Sequence, residues 1–164
     1  MNRSTADFGI AIPSAPPPAV ASLGQWQRST REAIASRNDG RLAAALAQSR
    51  AALGIALELI EQPGVDRIDD RIAALVVSRL NLADVQVDCG ELDAAVAQLC
   101  EAHASLMRLV LCGDSARQQA ALRHSRHTHA ALLEHLTRHG ADPLIARTLR
   151  IGVLTLSPGQ WALH

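Results

Sequence analysis

The sequence predicts an all-α fold of about six helices in three antiparallel hairpins, and three observations carry that expectation. Of 164 residues 48% are apolar but only 2% aromatic, an alanine-dominated composition that favours helix packing over sheet pairing. Apolar residues recur at three- and four-residue intervals through most of the chain, the signature of amphipathic helices. A repeat of period fifty is also present. Gly40-Arg41-Leu42-Ala43-Ala44-Ala45-Leu46-Ala47-Gln48 returns as Gly90-Glu91-Leu92-Asp93-Ala94-Ala95-Val96-Ala97-Gln98, and Gly140 falls at a break of the same kind. Self-similarity at such a period marks stacked supersecondary units.

Residues 1–20 read as a disordered, Pro-rich arm, with Phe8, Ile10 and Ile12 as its only apolar side chains. The first helix is expected from Ser22, an N-cap residue, to Ser36, with the turn Arg37-Asn38-Asp39-Gly40 after it. The second spans 41–62 and stops at Pro63-Gly64. Asp66, Asp69 and Asp70 open the third, where carboxylates cap free amides and complement the helix dipole, and Cys89-Gly90 ends it. The fourth covers 91–112 and stops at Gly113-Asp114; the fifth covers 115 to 138 or 139 and stops at Gly140. The sixth starts with Pro143 at its first position and ends near Ile151. Residues 21–152 thus form the helical domain. Residues 153–164 are expected as a tail, with 153–156 the single stretch open to a strand.

Composition excludes several classes. The sixteen basic residues, all arginine, balance sixteen acidic ones, so the chain has no overall pull on phosphate, and without tyrosine it lacks a stacking platform; nucleic acid is not an expected partner. No N-terminal stretch joins a basic segment to a long apolar one. Arg, Glu or Asp interrupts each apolar stretch, so no membrane span is expected. Cys89, Cys100 and Cys112 are spaced roughly 16–18 Å apart along a helix, too far for a disulfide, and a cytoplasmic protein with reduced thiols is expected.

The second copy of the repeat resembles the tetratricopeptide repeat (TPR). Asn81-Leu82-Ala83, the turn Gly90, Leu92 and Asp93, then Ala95-Val96, Leu99 and Ala102 carry the resemblance over residues 73–103. The first copy keeps Gly40, Leu42, Ala45, Leu46, Ala52 and Leu53; the third keeps Leu132, Leu136, Gly140, Ile145 and Leu149. The fifty-residue period implies a divergent member with long helices. Such hairpins stack into a concave surface lined by the first helix of each pair, which implies recognition of a protein or peptide. Carried over by position, the surface comprises Gln27, Thr30, Ile34 and Arg37, then Val77, Leu80, Asp84 and Asp88, then His127, Glu134 and Arg138.

The other constellation is the histidine-rich fifth helix. His124, His127, His135 and His139 share one arc of the helical wheel and read as a solvated, mildly basic face, whereas His129 falls among the leucines. His135 and His139, four residues apart, have the spacing to chelate a metal, but a site needs a third ligand and none is evident, so no metal and no cofactor is expected. There is no phosphate-binding loop and no nucleophile elbow. Cys100 and His103 read as a packing pair, and the chain is not expected to be an enzyme.

Charge is polarised along the chain: residues 1–114 carry a net −4 and residues 115–164 a net +4. That division favours an acidic partner at the C-terminal hairpin or contact between two copies, hence a possible homodimer. The reading that joins these expectations is an adaptor or chaperone holding a peptide or helix of a partner protein. The alternative is a small-molecule or metal sensor at the histidine-rich helix. Phe8 or Trp161 is expected to pack into a groove of its own or a neighbouring chain.

Overall fold

The computed structural model describes residues 20–64 and 66–156. Six helices follow one another: α1 (Leu23–Asn38), α2 (Leu42–Glu61), α3 (Ile68–Asp88), α4 (Leu92–Cys112), α5 (Ser115–His139) and α6 (Pro143–Leu156). Among the described residues there is no strand. The stretch 153–156, expected as tail or strand, instead completes the last turn of α6. Phe8 and Trp161 lie outside the described residues.

Local chemistry sets most helix ends. Ser22 caps α1 through a capping box: the Gln25 amide donates to Ser22 Oγ (3.2 Å) and the Ser22 amide to Gln25 Oε1 (2.9 Å), satisfying two orphan donors. At its far end Gly40 takes φ 73°, the Gly40 amide donates to Arg37 O (2.9 Å) and the Arg41 amide to Ser36 O (2.8 Å). The end of α3 repeats this: Gly90 has φ 78°, with Gly90 N to Val87 O at 2.9 Å and Glu91 N to Gln86 O at 2.8 Å. Both are Schellman closures, which require left-handed backbone just past the helix and so favour glycine. The third break departs from the pattern. Gly140, also at positive φ, is itself the cap of α5, and Asp142 then caps α6 by accepting from the amides of Leu144 and Ile145. Asp114 caps α5 through the Arg117 amide.

The three aspartates at the start of α3 are not caps. The residue before α3 is Arg67, left-handed at φ 52°, and no side chain caps the helix. Asp70 pairs with Arg67, while Asp69 reaches across to Arg123 of α5 at 2.7 Å. An exposed carboxylate can be drawn to a cation on a neighbouring helix, and spacing along one helix does not reveal that neighbour.

α3 is the centre of the molecule. Ten of its 21 residues are buried, so it is covered nearly all round. It packs against α1, α2, α4 and α5, and α2 fills the angle between α1 and α3 as α4 does between α3 and α5. The first helices of the pairs, α1, α3 and α5, therefore stand side by side. Ala45 and Ala95, equivalent in the repeat, are both fully buried, one on each second helix. The third pair is different: α6 packs mainly on α4 and only briefly on α5. One core joins Ile72, Val76, Leu106 and Ala120, another Ala83, Leu99, Leu132 and Ile145, and Leu80 packs against both. Burying a side chain such as Leu106 contributes about 1.5–3 kcal/mol.

α2 is long and apolar enough to cross a bilayer by length and composition, contrary to the expectation that no stretch is. Arg50 stands at its middle; Ala45, Ala52, Ala56 and Leu59 are buried, but only 28% of the apolar window is covered by the rest of the fold.

Candidate functional site

The first helices enclose a groove. On α3, Leu80, Asp84, Val87 and Asp88 recur at helical spacing along one face; on α5, Ala131, Glu134, His135, Arg138 and His139 do the same. The two faces oppose each other across a trough of about 120 Å³, floored by Ala83 and Leu99 and closed at one end by Arg37 from α1. Helix packing brings the stripes together: Ala83, Leu99 and Leu132 lock α3, α4 and α5 through one core below the trough.

Arg37 is the keystone of its charged rim. Its Nε donates to Asp88 Oδ2 at 2.5 Å and its Nη1 to Asp84 Oδ2 at 3.2 Å. The hydrogen bond it donates to Asp88 holds the guanidinium above its ordinary pKa despite the opposing cost of burial. Arg138 and Glu134 pair along α5. His135 is buried at 8% exposure, its ring 4.5 Å from that of His139 between centroids. Burial, then the neighbouring His139, lowers the His135 pKa, which Asp142 only partly counters. A neutral imidazole at His135 thus faces the trough.

Six sequence-predicted residues meet here: Arg37, Leu80, Asp84, Asp88, Glu134 and Arg138. The other three stand apart. Ile34 is 44% exposed beside a small hollow of about 50 Å³ between α1, α2 and α3, Val77 is exposed elsewhere on α3, and His127 lies with Leu122, Arg123 and Arg126 on the outside of α5. Thr30 is buried, because α1 turns that side to its neighbours. Leu80 lines the trough and also belongs to the interior, so it has a structural as well as a surface role.

The histidine face is not uniformly solvated. His127 and His139 are exposed, but His135 is buried and the His124 side chain is only 16% exposed, its Nε2 standing 3.3 Å from Asp69 Oδ1. His129 is half-buried, its ring 6.0 Å from that of His103. The core histidine is His103 on α4, 2% exposed. Thr128 donates its hydroxyl to Ser125 O (3.0 Å), so its oxygen accepts from His103 Nδ1–H (2.8 Å). His103 Nε2, then bare of a proton, faces Gly152 of α6. Burial and His129 lower the pKa of His103. Burial pushes the Cys100 thiol up.

Sequence reasoning did not assign Ala83, Val87, Leu99 and Ala131 to the site, because their small or aliphatic side chains carry no functional signal. It also missed the pairing of Arg37 with Asp84 and Asp88. A signal was present: opposite charges stand on successive first helices about one repeat apart. Among the described residues no group of three His, Cys, Asp or Glu side chains is placed to hold a metal ion.

No curated protein and no solved structure matches this chain. Residues 24–159, from the start of α1 to beyond the end of α6, match the family described as Protein of unknown function (DUF2753), and the chain belongs to that family.

Proposed function

We propose that this protein is an interaction module, an adaptor or chaperone with TPR-like architecture, whose groove between α3 and α5 holds a peptide or helix of a partner protein. The observation that carries this is the convergence of Arg37, Asp84, Asp88, Glu134 and Arg138 around one apolar-floored trough. Size weighs against a small-molecule site. Small-molecule sites run to about 300–1,000 Å³, whereas 120 Å³ is near the ~150 Å³ that admits a single benzene ring. Such a trough takes one side chain of a larger partner while the charged rim reads its neighbours. The repeated Schellman turns at Gly40 and Gly90 and the side-by-side first helices support the TPR-like part of the reading. A cytoplasmic setting rests on the reduced thiols alone.

The test is affinity capture from the native host followed by mass spectrometry, with groove variants as the discriminating step. A partner that uses the groove is retained by wild type and by Asp93→Ala, exposed at the start of α4, and lost on Asp84→Arg and on Ala131→Leu, which fills the trough. Equal capture by all four proteins would refute the assignment. The sensor reading rests on the close His135–His139 pair, two donors without a third, and metal content of tag-free protein decides it.

A further inference from the structure

The outer face of α6 has no partner among the described residues. Leu144, Ile151 and Leu154 are 45%, 49% and 47% exposed there. With Arg147 they fall within an arc of about 80°, Arg150 flanks that arc, and α6 has no acidic residue. Single exposed leucines are ordinary. Three large aliphatic side chains aligned on a helix whose opposite side buries Ile145 and Gly152 make a face of the kind another helix covers.

The first hairpin presents the complement. On α2, Leu57 is 42% exposed and lines, with Glu58, Glu61 and Gln62, an open hollow of about 430 Å³. Among the described residues neither Glu58 nor Glu61 makes an ion pair, and neither do Arg147 and Arg150. Both pairs have i, i+3 spacing, about 4.5 Å along a helix axis, so one register serves both charge pairs at once. The division of charge into −4 and +4 along a chain of zero net charge draws unlike ends together without overall repulsion.

We infer that α6 of one copy docks on the α2 face of a second copy, with Leu144, Ile151 and Leu154 over Leu57 and with Arg147 and Arg150 opposite Glu58 and Glu61. Apolar burial supplies the affinity; the charge pairs, worth little in themselves at a surface, set the register. An anionic lipid surface would also attract Arg147 and Arg150 but would make no use of Glu58 and Glu61, so the matched spacing favours a second copy. The contact unites two different surfaces and lies outside the groove, so it stands or falls separately from partner binding.

Charge exchange tests it on the full chain. Wild type is expected to gain mass with concentration in sedimentation equilibrium, more weakly at high salt. R147E/R150E and E58R/E61R, all at exposed positions, should each associate about tenfold more weakly, with unchanged helicity by circular dichroism. An equimolar mixture of the two variants should regain wild-type association, because each then meets its opposite. The proposal is overturned if wild type stays monomeric throughout, if either variant associates like wild type, if the mixture fails to recover, or if wild type remains monomeric while binding anionic vesicles through α6.

Discussion

A β-carbon placed on Gly152 would lie 2.5 Å from Nε2 of His103. α6 approaches α4 closely enough at that point that only a hydrogen fits between its backbone and the imidazole ring, and the ring is fixed from behind by Thr128.

Gly152→Ala is therefore expected to destabilise the protein by about 1–3 kcal/mol, the range for overpacking a core, even though alanine is favoured over glycine in a helix by up to about 1 kcal/mol. Gly54→Ala on α2, which meets open space, should instead stabilise by about 0.4–1 kcal/mol. Urea unfolding of both variants reads the opposite signs.

Acid should weaken the fold through His103 and His135, whose pKa values are both lowered by burial. In the unfolded chain each takes up a proton as pH falls through about 6.5; in the folded protein each resists to lower pH. Stability present above that value is thus lost as pH falls from 7 towards the depressed folded values. The denaturation midpoint should drop between pH 7.5 and 5.5, and less steeply in His103→Asn. A midpoint that rises with acid over this window would contradict the neutral assignment of both rings.

Gly90→Val forces a β-branched residue into φ 78° and should cost about 1 kcal/mol or more. The same substitution at Gly40 should behave alike, since the two closures share their hydrogen bonds. Thermal unfolding of the pair measures whether the repeat is energetic as well as geometric.

Leu80 and Arg37 should separate structure from recognition. Leu80→Glu places a carboxylate between two core clusters and is expected to cost more than about 2 kcal/mol, so lost partner binding in that variant reports unfolding. Arg37→Ala removes a half-exposed ion-pair network worth about 1 kcal/mol or less and should leave the melting temperature nearly unchanged. Loss of capture by Arg37→Ala, measured beside its melting curve, would mark the rim as a recognition element.

Much of this architecture was legible in the sequence because helix ends are local. Ser22 and Gln25 cap α1 across three residues, Gly40 and Gly90 close their helices through bonds spanning three to five residues, and Pro143 begins α6 where its missing amide costs nothing. The fifty-residue repeat likewise places Ala45 and Ala95 at equivalent buried positions. The site was legible where it follows helical register: Leu80, Asp84 and Asp88 share a face by spacing alone.

What the linear pattern could not settle was which face meets which. The exposed carboxylate of Asp69 serves Arg123, not the end of its own helix. His135 and His127 share a helical arc, yet one is buried while the other stands in water. α6, expected to end at Ile151, continues to Leu156 and leans on α4. The linear pattern alone was enough for the six helices, the glycine turns at Gly40 and Gly90 and the repeat that joins them, because each turn is closed by backbone hydrogen bonds within a few residues. The groove, the pairing of Arg37 with Asp88 and the contact of Gly152 with His103 arise from packing instead, because apolar burial is non-directional and its outcome depends on the shapes of all the helices together.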